Sequence, residues 1–475
     1  MIPQHPGYSL TAKQTIPSPP HLQAVRRQRR ASLLMARAGL AQLPAELQIS
    51  VFGYLDHADL KSVRLASRAF RDNSEQFLFD RTIACARYQA LGALQKISRH
   101  DIYQKYVKEI IFDGSVYEPQ AASKVRVYIN KCAAEAPTLN ECFDAQKHSR
   151  FQRYKTLYRE QEDMKTSLVL LQSLARALEC MPNITSIVYS PVPRTVPAEA
   201  ADMRDILPRG ELPSINTPIP IGEHPDSYIA RTQHGIHHLI GAVALAQYSG
   251  IRSFTVEACK GRGTEMNHHA FDFADESHLE AGKYFFGRLQ KLVLNLSLRS
   301  SARGHQATVS PNLAVLLGEA KDLQELCFHI CHWKDNESAH FGYMDERSLF
   351  SSLGLRNKWP NLRTLSLKGI YAAGPEISSL ITGHQDTLTK VVLNHFSLVS
   401  GTWADIVDEV ITNTNIPSFI LHLVNETQVG EQRFRDMAYS IRETWRYEGF
   451  LAVDGGQRRF VSRRGGRIGG YMATH

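Results

Sequence analysis

The run CFHICHW brings Cys327, His329, Cys331 and His332 together, and thiolate and imidazole are the donors that zinc takes. Zinc needs four of them converging on a tetrahedron. On a strand, Cys327, His329 and Cys331 share one face at two-residue steps and spread over about 12 Å or more at ~3.3 Å per residue. They meet one ion only if the backbone bends, so the run is read as part of a packed, reduced element. His234, His237 and His238 have helical spacing, and His268, His269, Asp272, Asp275, Glu276 and His278 crowd one stretch. Neither group has a second ligand pair at fixed spacing, and both are read as solvated helix and loop faces. The chain contains no GxSxG, GxxxxGK[ST], HExxH or EF-hand pattern, and Lys260–Gly263 (KGRG) is too short to cradle a phosphate. No nucleophile has a paired base, so the expectation is a non-catalytic protein without metal or cofactor.

The elements that carry these residues belong to a chain of 475 residues, long enough for about three domains of roughly 150 residues or for one extended array. With 43% hydrophobic and 21% charged residues it has the composition of a globular protein, which excludes general disorder, collagen and coiled coil. The longest apolar runs, such as LIGAVALA from Leu239 to Ala246, are far below the ~20 residues a membrane-spanning helix needs. The N-terminus has no apolar signal core, so the sequons at Asn183, Asn295 and Asn425 are read as chance. Seven cysteines without a CxxC pair suit reduced thiols in the cytoplasm or nucleus. The net charge of +8 is carried by the ends: residues 1–45 hold six Lys/Arg and residues 455–475 five, with no acid in either. Without these eleven, 44 basic residues face 47 acidic ones, so the basic character is not that of the body.

In residues 40–81, Pro44 and Glu46 in a first turn, followed by the apolar run LQISVFGYL, predict a helix. Its apolar arc spans about 200°, about twice what a core-facing helix uses, which leaves surface for a partner. Asp56 and Asp59 have capping spacing and predict a second helix near Asp56. On that helix Leu60, Val63, Ala66 and Phe70 share a stripe from which Leu65 points away. Phe77, Leu78 and Phe79 suggest a third helix after Asp72. Three short helices bury little surface, and surplus exposed apolar residues on so small a module mark a docking surface.

The stretch LPAELQISVFGYLDHADLKSVRLASRAFRD resembles an F-box of the form common among fungal F-box proteins. The residues that carry the likeness are Leu43, Pro44, Glu46, Leu47, Phe52, Leu55, Asp59, Leu60, Val63, Arg64, Leu65, Ser67, Arg68, Phe70 and Arg71. Phe70 stands where many F-boxes have Trp. The resemblance implies a three-helix domain that docks on the Skp-type adaptor of a Skp-cullin-F-box ubiquitin ligase. The adaptor contacts it implies are Leu43, Pro44, Phe52, Leu55, Leu60 and Leu65.

Beyond the module an LxxLxL pattern recurs eight times. Its apolar triplets are Val107/Ile110/Phe112, Ile184/Ile187/Tyr189, Ile251/Phe254/Val256, Leu289/Leu292/Leu294, Leu323/Leu326/Phe328, Leu362/Leu365/Leu367, Leu388/Val391/Leu393 and Ile416/Phe419/Leu421. Most follow an apolar helical stretch, as in SLVLLQSLARALECM and WADIVDEVIT. A helix-then-strand unit that cannot cover its own apolar face must stack on its neighbours. The pattern resembles irregular leucine-rich repeats, although the Asn expected three residues past the last apolar position is missing and only Cys331 offers a substitute. The intervening positions of each strand form a polar band beside an apolar stripe. They yield Arg252, Lys291, Glu325, Arg363 and Lys390 as substrate-binding candidates, and suit a protein or peptide better than a nucleic acid.

The expected organisation is a disordered basic leader (residues 1–38), an F-box (39–81), an irregular leucine-rich-repeat-like α/β solenoid with a parallel sheet (82–450), and a basic Gly-rich tail (451–475). The solenoid carries insertions near 113–165 and 190–234, the first a mixed-charge helix and the second Pro-rich and disordered. The expected function is substrate recognition in a Skp-cullin-F-box ubiquitin ligase, with adaptor, cullin and an unknown protein as partners, in the cytoplasm or nucleus. The alternative is an interaction scaffold outside any ligase.

Overall fold

The computed structural model describes residues 39–114, 117, 119–135, 144–190, 225–257, 266–273, 275–298, 310–332, 349–426, 445–454 and 457–462. The expected leader and most of the Pro-rich insertion lie outside the described residues. The chain divides between Leu78 and Phe79 into two compact units.

The first unit holds three helices, α1 (Ala45–Phe52), α2 (His57–Arg64) and α3 (Arg68–Leu78). Pro44 precedes α1, and its carbonyl accepts from Leu47 and Gln48 N–H, both at 3.1 Å. Asp56 caps α2, with Oδ1 accepting from Asp59 N–H at 2.8 Å. The stripe from Leu60 to Phe70 is not one helix, as its spacing suggests. Ser67 Oγ accepts from Phe70 N–H at 3.1 Å, and this local cap starts α3 four residues ahead of Asp72. Phe52, Leu60 and Phe70 form the buried core, the two rings meeting edge to face at 5.5 Å.

In the second unit helices alternate with strands. The strands begin with β1 (Arg81–Cys85), which the triplet pattern did not include; helix α4 (Tyr88–Ser98) leads to β2 (Glu109–Asp113). The insertion after β2 supplies α5 (Pro119–Ser123), α6 (Val125–Glu135) and the expected mixed-charge helix α7 (Asp144–Thr166). It has a core of its own that includes Tyr117, Tyr128, Phe151 and Tyr154. Then come α8 (Val169–Cys180), β3 (Ser186–Ser190), α9 (Pro225–Leu245), β4 (Ser253–Val256), β5 (Met266–Asn267), α10 (Glu276–Phe286), β6 (Lys291–Leu298), α11 (Pro311–Glu319) and β7 (Glu325–His332). The series continues with α12 (Leu349–Ser352), β8 (Thr364–Lys368), β9 (Tyr371–Ala373), α13 (Gly374–Thr382), β10 (Lys390–Asn394), β11 (Ser397–Ser400), α14 (Trp403–Asn413) and β12 (Ser418–Glu426).

Nine strands, β1-β2-β3-β4-β6-β7-β8-β10-β12, lie side by side in chain order and in parallel, the arrangement of an α/β solenoid. All eight triplets fall on these strands or just before them, and every triplet residue is buried. Their middle members are in register across the sheet, from Ile110 through Ile187, Phe254, Leu292, Leu326, Leu365 and Val391 to Phe419. This row packs with apolar residues of α8 to α14 in one continuous core. Each coil is tied to the next where its strand begins. From Asp80 to Arg363, seven backbone carbonyls each accept two N–H groups from the start of the following strand, at 2.7–3.1 Å. Gly369, at φ +71°, fits where a Cβ would stand 2.0 Å from the Ile330 carbonyl oxygen of the preceding coil.

The boundary expected at 450 is corrected: β13 (Trp445–Asp454) pairs antiparallel with β12, and β14 (Gln457–Ser462) pairs with β13. The signal was present in Asp454-Gly455-Gly456-Gln457, since two glycines between β-prone runs are what a two-residue hairpin connection uses.

Candidate docking surfaces

On the first unit the burial of each side chain decides what it offers. Phe52 and Leu60, expected to touch an adaptor, are 0% and 2% exposed and belong to the core of the module. Leu43 and Leu55 are half-buried, and Pro44 is exposed. Leu65, in the turn after α2, is 90% exposed, as its position off the stripe predicts.

Three further apolar residues are exposed on the same unit: Leu47, Val51 and Tyr54. They have the i, i+4, i+7 spacing of one helical stripe. That spacing marks Tyr54, which is 90% exposed and which the resemblance does not single out. The sequence reading also missed Gln48. Its side chain is buried beneath α1, where Nε2 donates to the Leu43 carbonyl at 2.8 Å and Oε1 accepts from Asn73 Nδ2 at 2.9 Å. A buried amide with both ends satisfied thus ties the Leu43-Pro44 corner to α3. Arg64 and Glu75, 3.5 Å apart, join α2 to α3 as well.

Among the described residues, the sheet face of the second unit opposite the helix-packed core is mostly half-buried or exposed from β6 to β12. Residues alternating with the buried rows line it in three registered rows. The first contains Lys291, Glu325, Thr364 and Lys390; the second Val293, Cys327, Ser366, Val392 and Ile420; the third Asn295, His329, Lys368, Asn394 and His422. At the β2–β3 end, Ile111 and Val188 of the second row are buried, whereas the later members are half-buried.

The five substrate-binding candidates meet different fates. The Arg252 guanidinium turns back onto the Ser249 and Ile251 carbonyls at 2.5 and 3.0 Å. Lys291 Nζ and Glu325 Oε2 pair at 3.0 Å across neighbouring strands. Arg363 and Lys390 are exposed, and the Arg363 carbonyl accepts from Lys390 N–H.

The residues with metal-ligand chemistry are engaged as parts of the fold. Asn295, 5% exposed, donates from Nδ2 to the Val256 carbonyl at 2.6 Å and presents Oδ1 to His329 Nδ1 at 2.9 Å, which fixes the imidazole proton on that nitrogen. Burial, then the Lys368 charge, lowers the His329 pKa. Burial, then the Glu325 charge, raises that of the Cys327 thiol. The side chains of Cys331, His332, His234 and His269 lie outside the described ones. Asp275 caps α10, accepting from His278 N–H at 2.9 Å and the Ser277 hydroxyl at 2.6 Å; the Ser277 bond foremost, then the N–H, lower its pKa to about 2. His237 lies against Phe273 with Nε2 2.9 Å from the Ala270 carbonyl, and burial lowers its pKa to about 4. Among the described residues no three His, Cys, Asp or Glu side chains are grouped to hold a metal ion.

A family model described as F-box-like matches residues 40–85, covering the three-helix unit and β1. No curated protein matches the chain.

Proposed function

We propose that the chain is the substrate-recognition subunit of a Skp-cullin-F-box ubiquitin ligase. The F-box-like match supports adaptor binding, and one observation carries the reading further. Among the described residues, a module with three large apolar side chains buried in its core leaves Leu47, Val51, Tyr54 and Leu65 exposed. So small a unit does not gain from exposed apolar side chains by itself; a partner that covers them does. The open sheet face of the second unit, with its polar and half-apolar rows, is the proposed seat of the protein to be ubiquitinated. The mechanism is proximity: tethering raises the effective concentration of substrate lysines near the ubiquitin-loaded enzyme, and this chain needs no catalytic group. A cytoplasmic or nuclear location goes with the reading.

Co-purification of the full chain with the adaptor and cullin tests it. Wild type is expected to bring down both. Leu43→Ala with Pro44→Ala is expected to weaken adaptor binding by about 2–4 kcal/mol, through lost apolar contact and a loosened helix start. Arrival of adaptor without cullin would favour a scaffold, and arrival of neither would remove the ligase assignment.

A further inference from the structure

We infer that the β8–β10–β12 part of the open face binds an extended acidic segment of a partner protein, with carboxylates four residues apart and a small apolar residue midway. This names a substrate class for the site under Proposed function and rests on that reading. Three cations elsewhere on the second unit have acidic partners close by: Arg81 with Glu109 at 3.4 Å, Lys291 with Glu325 at 3.0 Å, Arg356 with Glu376 at 2.9 Å. Arg363, Lys368 and Lys390 make no ion pair among the described residues. No carboxylate occupies the open-face positions of β8, β10 or β12 as far as His422.

The spacing supplies the rest. Arg363 and Lys390 lie where the strands begin; Lys368, in register with Asn394, lies where they end. Ser366, Val392 and Ile420 form the small, half-apolar row between them, in mutual register. Four residues of strand separate the cationic rims, roughly 13 Å at ~3.3 Å per residue. A ligand running along the strands in extended form has the same rise. Its side chains at i, i+2 and i+4 share one face, so acid, apolar, acid matches cation, apolar, cation.

Charge selects among occupants. The chain's own ends hold eleven Lys/Arg without an acid, and the same rims repel them. The open face of these three strands carries no Phe, Tyr or Trp for bases to stack on, which favours peptide over single-stranded nucleic acid.

Fluorescence anisotropy with the full chain tests the inference, using a labelled peptide with Glu-Thr-Val-Thr-Glu at its centre. Its Lys-Thr-Val-Thr-Lys counterpart and the reordered Glu-Glu-Thr-Val-Thr serve as controls. Expected are binding of the first, at least about 10-fold weaker binding of either control, and weakening as salt rises from about 50 to about 300 mM. Arg363→Glu with Lys390→Glu is expected to lose about 10-fold or more, and Lys368→Gln a smaller part, with unchanged thermal melting. No binding, equal binding of the lysine peptide, or indifference to these variants overturns the inference. Tighter binding of a uridine-rich RNA does so too. So does tighter binding of a peptide of residues 333–348, with Asp335, Glu337, Asp345 and Glu346, since the occupant would then be the chain itself. Adaptor co-purification from the same preparation reads the ligase assignment separately, so either can fail while the other stands.

Discussion

The two units use apolar side chains in opposite ways. In the sheet unit every triplet residue is buried in a core that runs from β2 to β12. In the three-helix unit, among the described residues, three large apolar side chains are buried and four are exposed. The first arrangement makes a frame that holds itself. The second gives up intrinsic stability for a surface that is complete only when another protein covers it.

The sharpest way to break this comparison is to empty the small core. Phe52→Ala is expected to cost about 3–5 kcal/mol, enough to unfold the helical module and abolish adaptor binding. A thermal scan should show the sheet unit's transition unmoved; a shift of both would mean that the units fold as one. Gly369→Ala asks the converse question of the frame. Positive φ and the Ile330 carbonyl together are expected to make it about 2–4 kcal/mol less stable, read by denaturant melts, with adaptor binding retained. Leu65→Asp tests the exposed patch. It is expected to weaken adaptor binding by about 2–3 kcal/mol while changing stability by less than about 0.5 kcal/mol, and a large loss of stability would return Leu65 to a structural role.

His237 supplies a pH signature confined to the sheet unit. Its folded value of about 4 lies below the unfolded value of about 6.5, so between the two the unfolded chain binds a proton that the native ring refuses. Stability is therefore full above about 6.5 and falls as pH drops toward about 4, by at most about 1.4 kcal/mol per pH unit from this group. His237→Gln is expected to flatten that slope by one proton, and an unchanged slope would refute the assignment. The smallest effect belongs to Lys291 and Glu325, both partly exposed; Glu325→Gln is expected to change stability by about 0–1 kcal/mol.

What could be read from the sequence follows from how each signal arises. The eight strands were legible because a buried strand against a helix layer must repeat its apolar positions, and the parallel register then follows from stacking. The surplus at Leu65 and along Leu47 and Val51 was legible because a helix has more perimeter than its own core can use. The start of α3 at Arg68 was hidden because a single Ser67 side-chain bond interrupts an otherwise unbroken apolar stripe. The burial of Phe52 and Leu60 was not legible because a family motif marks residues that matter without separating inward from outward. Gln48 and Asn295 escaped notice for a common reason. Each is an amide whose importance lies in the backbone carbonyl it reaches, Leu43 for one and Val256 for the other, and one-dimensional spacing carries no trace of that carbonyl.

The chain-order arrangement of the nine parallel strands bears on synthesis. Each of these nine strands from β2 onward finds its partner in chain that has already been made, and from β2 to β10 the doubly bonded carbonyl that receives it is in place before it arrives. On a ribosome adding about 5–20 residues per second, coils can be laid down one upon another as they emerge, without waiting for a distant segment. Only the turn back at β13 and β14 reverses direction, so the last residues described close an edge that every earlier coil left open for its successor.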